Sequence, residues 1–398
     1  MKKLLLALAF AGFCFTATNA QQREIPHVFR TNDEIYNRRT EIILPQVKGF
    51  NCYKADFHVH TSYSDGWLTP AARVAEAWGD GLDIMAITDH YENYRNFKKI
   101  FKVAAPFNED GKPTKYTYPG KSGRAMLDFN AIHEEAVERR DKAGYNLLLI
   151  KGCEMARNSK VLGHFNCLFV DDLNNLYNKD LSIAFDNVHA QGGLVIHNHP
   201  AYVRGTTDKS KEQAALYDAG KIDGIEVMNS RSFYPPIIRR CVEEKLFMVG
   251  GSDIHQETSR RFGSMGEYRT MTFVFAKELT EAAVKEALLK HRTLSYSCGY
   301  IVGEEHWLVE FLNAAVNCQL TSVDKKKEVR TFQLTNTSSL TYRMRHGKDA
   351  YELEPFKSVT ITLGKDKESG KYLLPTFEVE NMWHIDYQHP VIKIEIDK

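Results

Sequence analysis

Several absences narrow what this chain can be. After the first twenty residues no stretch of its 398 residues is apolar for long enough to span a bilayer. No excess charge of either sign is present: 52 lysines and arginines face 51 aspartates and glutamates. The one short basic run, Lys325 to Lys327, reads as a solvated loop, so no broad nucleic-acid footprint exists. No Cys-x-x-Cys pair occurs, which argues against a cysteine zinc site. Of the seven cysteines, all but Cys14 are spread widely, at Cys52, Cys153, Cys167, Cys241, Cys298 and Cys318. Their expected state is that of small buried hydrophobes, although an oxidising compartment could pair some, and spacing selects no pairs. No Ser-His-Asp or Cys-His signature is present either.

What is there begins with a leader. Residues 1–20 carry Lys2-Lys3, an apolar stretch from Leu4 to about Phe15 and a Thr18-Asn19-Ala20 ending, the pattern of a cleaved secretory signal. Phe13 fills the place before Cys14 where a lipoprotein signal carries a small residue. The expectation is therefore a periplasmic or secreted protein. With 43% hydrophobic residues the chain can bury one large core and support a smaller second domain.

From Lys54 to Gly251 short apolar runs alternate with helical patterns, the rhythm of a parallel α/β sheet. The strand candidates are Ala55 to His60, Asp83 to Thr88, Asn146 to Cys153, Gly163 to Val170, Gly193 to His197, Gly224 to Met228 and Phe247 to Gly251. Seven such units suggest a (β/α)7 barrel more than an open sheet. Thr69-Pro70 reads as a helix N-cap and first residue, with a stripe at Val74, Ala77 and Trp78; Phe129, Ile132 and Ala136 form another stripe, and Thr280 caps a last helix. From about Glu305 alternation such as Thr331-Phe332-Gln333-Leu334 predicts a small antiparallel β domain. The expected organisation is signal 1–20, N-terminal extension 21–53, barrel 54–300 and β-rich domain 301–398. Arg95 to Gly123, polar and aperiodic, reads as a long loop of the kind that often forms a lid or binding segment.

Ligand-type residues recur where the strands end. His58 and His60 share a face of the first strand. Asp89-His90 closes the second, Glu154 the third, His197-Asn198-His199-Pro200 the fifth and Asp253-Ile254-His255 the seventh. Each piece alone has a dull explanation in turns and core histidines. Together they fall at the carboxyl-end mouth where barrel enzymes place their sites, and they suit a cluster of several metal ions.

The stretches DFHVHTSYSDG, Ala86-Ile87-Thr88-Asp89-His90, Lys151-Gly152-Cys153-Glu154, Ile196 to Pro200 and Gly251-Ser252-Asp253-Ile254-His255 resemble the motifs of the PHP (polymerase and histidinol phosphatase) superfamily. The resemblance covers about Lys54 to His255. It implies a distorted seven-stranded barrel and a metal-dependent phosphoesterase site. By motif, one ion would take His58, His60, Glu154 and Asp253; a second Glu154 as a bridge with His164 and His199; a third Asp65, His90 and His255. Glu154, Asp253 and His199 would carry the chemistry. His164 fits least well, since it begins an apolar run instead of ending one, and His197 rivals His199.

Two or three divalent ions are implied, and zinc, manganese and iron all suit mixed imidazole and carboxylate ligation. A bridging carboxylate fits hydrolysis in which one metal acidifies water and both hold phosphoryl oxygens. Arg204, Arg231 and either Arg260 or Arg261 are candidates for holding a substrate phosphate. The expected partner is a small phosphomonoester or phosphodiester. The alternatives are an amidohydrolase-like enzyme for a non-phosphate substrate and a non-catalytic binder. Ser64-Asp65-Gly66, Thr88-Asp89-His90 and Glu154 favour the PHP reading over the first, and the filled ligand positions disfavour the second.

Overall fold

A computed structural model describes residues 38–91, 117–119, 125–263 and 266–397. The 1–20 leader, residues 21–37 of the extension and the 95–123 loop except 117–119 lie outside them. Residues 39–398 form one compact unit.

In its first half the strands are β1 (Asn51–Val59), β2 (Ile84–Ile87), β3 (Thr117–Pro119), β4 (Ala125–Leu127), β5 (Leu148–Ala156), β6 (His164–Leu168), β7 (Leu194–Asn198), β8 (Gly224–Asn229), β9 (Ser232–Phe233) and β10 (Phe247–Gly251). The helices among and just after them are α1 (Pro70–Gly79), α2 (Phe129–Ala143), α3 (Leu181–Ala190), α4 (Lys211–Asp218), α5 (Pro235–Glu244) and α6 (Thr258–Phe262). Strands β2, β7, β8 and β10 are buried at every residue, which is why they read as continuous apolar runs. Helix α1 starts where the sequence predicts, with the Thr69 side chain accepting from Ala72 N–H and proline in the first turn. Helix α2 is capped by Asp128 and closed by Gly144 in the left-handed region, and it buries Phe129, Ile132 and Ala136. Thr117–Pro119, expected to be loop, pairs antiparallel with β4.

The remaining strands and helices are β11 (Met271–Ala276), α7 (Glu281–Leu289), β12 (Thr293–Ser297), β13 (Tyr300–Val302), α8 (Glu305–Ala315), β14 (Val316–Asp324), β15 (Val329–Asn336), β16 (Tyr342–His346), β17 (Asp349–Leu353), β18 (Ser358–Leu363), β19 (Thr376–Val379), β20 (Met382–Trp383) and β21 (Val391–Lys393). The main sheet follows the order β10-β8-β7-β6-β5-β2-β1-β11-β12-β13-β20, with β9 paired to β8. All seven anticipated runs lie side by side in it, but the (β/α)7 count is not confirmed. The path has eleven strands in a curled half-barrel and is mixed, because β6 pairs antiparallel with both β5 and β7. The 157–163 link is too short to hold a crossover helix, so the chain can only turn back on itself there. Beyond β10, Ile254 pairs with Val59, and Asp253 N–H donates to His58 O at 2.9 Å. The curl thus brings the carboxyl ends of β10 and β1 together.

The C-terminal region begins differently from the expected β pattern: Glu305–Ala315 is helix α8, with Trp307, Leu308, Phe311, Leu312 and Ala315 buried at helical spacing. Phe311 stacks on Phe273 and packs by Phe275, both of β11, at 5.7 and 6.2 Å, fastening this region to the main sheet. Two antiparallel sheets follow, β14-β15-β18 and β17-β16-β19-β21. In β15 Phe332 and Leu334 are buried and their neighbours half-buried, the alternation that the sequence displays.

Candidate metal centre

The nine side chains singled out as ligands gather into four overlapping groups within ligand-to-ligand reach, at the end of the sheet where β1, β2, β5, β7 and β10 finish. His164 belongs with them because β6 runs antiparallel: the beginning of that strand lies where its neighbours end. Gly66, in the turn after His60, has a packing role of its own, since a Cβ there would sit 2.5 Å from His60 O.

Glu154 is at the centre. His58 and His199 Nε2 each lie 3.5 Å from its Oε1, His164 Nδ1 lies 3.1 Å from the same oxygen, and His90 Nδ1 and His60 Nε2 lie 2.7 and 3.7 Å from Oε2. Asn198 Nδ2 donates to Oε1 at 2.8 Å. The 2.7 Å contact with His90 lacks hydrogen-bond geometry, so Glu154 Oε2 and His90 Nδ1 are both buried and unsatisfied. Burial raises the Glu154 carboxyl, but His90 and His58, with hydrogen bonds from His164 and His199, outweigh it and hold the group well below the carboxylate range.

The His58 and His60 Nε2 atoms are 3.1 Å apart, and each lies within 3.3 Å of Asp253 Oδ1. Glu226 Oε1, 2.8 Å from His58 Nδ1, fixes that nitrogen as the donor and leaves Nε2 pointing at the cluster. Burial opposes charge on His58, yet Asp253, Glu226 and Glu154 push its pKa well up; His60, buried and beside His90 and His255, is pushed down to about 4. Asp65 Oδ1 and Oδ2 lie 3.2 and 3.4 Å from His255 and His90 Nε2.

Asp253 is held by its neighbours. Asp56 accepts from the backbone N–H groups of His58 and Ser252, both at 3.1 Å, and from Arg269 Nη2 at 2.6 Å. Asp253, next to Ser252 and with its own N–H on His58 O at 2.9 Å, sits at φ 51°, and His199 also sits at positive φ, 26°, a conformation that costs about 1–3 kcal/mol and persists only where surroundings enforce it.

Other expectations fare differently. His197 does not share a face with His199: β7 ends at Asn198, and the left-handed turn at His199 swings both Asn198 and His199 toward Glu154. His197 instead stacks on Phe165 at 4.8 Å, with Nδ1 2.7 Å from the Tyr217 hydroxyl. Cys153 lies in the core beside Glu154, and all six cysteines beyond the leader are free thiols. Arg204, Arg231 and Arg260 do not line the site cavity. Arg204 reaches Gln213 at 2.6 Å, Arg231 is exposed, and Arg260 lies over the Trp67 ring at 4.8 Å.

Sequence reasoning passed over Glu226, whose Oε2 also takes His199 N–H at 2.7 Å and Asn229 Nδ2 at 2.8 Å. Its signal was available: one carboxylate in an otherwise uncharged, wholly buried strand. Gly251 makes room for it, since a Cβ there would meet Glu226 Oε1 at 2.1 Å.

Among the described residues, Glu154, Asp253, Asp65 and Glu226 have only histidines as ionic partners within 4.0 Å. Carboxylates ringed by imidazoles, two of them fully buried, fit divalent cations, and the nitrogen and oxygen donors suit zinc, manganese or iron.

Fold and site together define an α/β protein with an imidazole–carboxylate centre at the carboxyl ends of a curled sheet. No family model matches the sequence, nor does any curated protein. Among solved structures, a two-domain protein from Bacteroides vulgatus containing a predicted PHP-like metal-dependent phosphoesterase is 31% identical, with a match covering 90% of this chain and 99% of that one at a TM-score of 0.76. A lesion-specific endonuclease from Pyrococcus furiosus is 16% identical, covering 64% of this chain and 59% of its own, at a TM-score of 0.38, too low to carry an argument. The chain belongs to the PHP superfamily.

Proposed function

We propose that the protein is an exported metal-dependent phosphoesterase that hydrolyses a small phosphomonoester or phosphodiester. The observation that carries this is the convergence of four carboxylates, all lacking lysine or arginine partners among the described residues, with six histidines. Most of these groups line a cavity of about 460 Å³, a size suited to a small substrate. The 31% identical relative, which contains a predicted metal-dependent phosphoesterase, supports a phosphoester over an amide substrate.

In this reading His58, His60, Glu154 and Asp253 hold one ion, Glu154 with His164 and His199 a second, and Asp65, His90 and His255 a third. When bound, such ions supply Lewis acidity toward phosphoryl oxygens and acidify the attacking water. The chain's own groups do the rest. Glu226 orients His58 and the His199 backbone, Asn198 orients Glu154, and the Asp56–Arg269 pair ties down Ser252, the residue before Asp253. Export is supported by the 1–20 leader pattern, and a mature chain in a periplasmic or secreted fraction beginning after Ala20 is the expected product.

The test is elemental analysis of the purified protein followed by a screen of phosphomonoesters, phosphodiesters and amides with the metal so identified. Turnover of a phosphoester by metal-bearing protein is expected. Turnover confined to amides, or protein that takes up no metal, would sink the reading.

A further inference from the structure

The same cavity is lined by Asn229, Ser230, Ser232, Tyr234 and Arg261. Among the described residues Arg261 is the only lysine or arginine lining it, and it has no carboxylate partner there. Its one hydrogen bond runs from Nε to Ser230 Oγ at 2.8 Å, so the fork of Nη1 and Nη2 is left without a protein acceptor among those residues.

Ser230 is built to make that bond. It sits at φ 53°, in the left-handed region that a residue with a Cβ avoids unless held there. Here it is held: its N–H donates to Gly251 O at 2.9 Å, and its carbonyl accepts from the Ser297 hydroxyl at 2.9 Å and from that of Thr270. Ser230 directly follows Asn229, which is tied to Glu226 and through it to His58. One continuous stretch of β8 and its exit therefore anchors both a proposed metal ligand and this guanidinium.

We propose that Arg261, aimed by Ser230, is the anion-recognising arm of the site and takes non-bridging oxygens of the substrate's phosphoryl group. The inference rests on the phosphoesterase reading and deepens it. A planar guanidinium whose Nε is already fixed presents its two remaining nitrogens as a preorganised fork, which matches phosphate and which lysine cannot reproduce. Arg204 is committed to Gln213 and to a backbone carbonyl, and Arg260 to the Trp67 ring, so neither offers such a fork to the cavity.

The test is calorimetric titration of inorganic phosphate into the protein as purified with its metal, comparing the parent with Arg261→Ala, Arg261→Lys, Ser230→Ala and the surface control Arg239→Ala. Phosphate should bind at least about tenfold more weakly to Arg261→Ala, and to Arg261→Lys almost as weakly, with bound metal unchanged. Ser230→Ala should fall between these and the parent, and Arg239→Ala should match the parent. Parent-like phosphate affinity in Arg261→Ala would overturn the assignment while leaving the phosphoesterase reading intact. A parent that carries metal but neither binds phosphate nor cleaves any phosphoester would overturn that reading itself.

Discussion

Two buried asparagines show how differently the two halves of this protein are built. Asn336, in the C-terminal region, donates to three carbonyls between 2.6 and 3.2 Å and accepts from Ser338 N–H and the Ser338 hydroxyl. Asn198, at the candidate metal centre, leaves its Oδ1 unsatisfied, as do Glu154 with Oε2 and His90 with Nδ1. Two proposed ligands, His199 and Asp253, also carry left-handed backbone there. Among the described residues the C-terminal region leaves one buried side-chain atom, Arg330 Nε, without a partner, whereas three such atoms converge at the candidate metal centre alone. Left-over polarity in a well-packed chain marks a binding site more reliably than polarity as such.

Phe311→Ala should break the packed half hardest. It removes a fully buried ring stacked on Phe273, and large-to-small changes of this kind cost about 3–5 kcal/mol. A clear fall in denaturation midpoint is expected, with metal per folded chain unchanged; lost metal in the folded fraction would show that the halves are not separable. Glu154→Gln should do the reverse. Removing the central charge among five histidines should weaken metal binding at least about a hundredfold, roughly 2.7 kcal/mol, read by competition with a chelator.

Glu226→Gln should cost about tenfold in the same assay, since removing a ligand's carboxylate partner typically costs ten- to a hundredfold. Asp65→Asn should cost least, because Asp65 is the most exposed of the carboxylates and meets one group of ligands only. Equal, small losses in Glu154→Gln and Asp65→Asn would remove Glu154 from the centre of the site.

Much of this was legible beforehand, for reasons that particular residues make plain. Val74 and Ala77 announce helix α1 because burial on a helix recurs every three to four residues; Phe332 and Leu334 announce β15 because burial on a strand recurs every second one. His58, His60, His90, Glu154, Asp253 and His255 could be picked out because they fall at or just beyond the ends of apolar runs. Helix α8 was missed because its helical spacing lies beside a long alternating region and was absorbed into it. The candidate arginines could not be ranked because a basic residue after a strand end can turn toward solvent, a neighbouring ring or the cavity, as Arg231, Arg260 and Arg261 do, and local sequence does not distinguish these.

By itself, then, the sequence determined most of the elements and the set of candidate ligands, since both follow from periodicity and from which residues interrupt it. Tertiary structure alone decided strand direction, and with it whether His164 could reach Glu154 at all. It alone set the left-handed turn that selects His199 over His197, because that turn depends on Glu226 accepting the His199 N–H from a neighbouring strand. It also decided which arginine faces the cavity. Distances between residues far apart in the chain are fixed by how the sheet curls, and no local pattern encodes that curl.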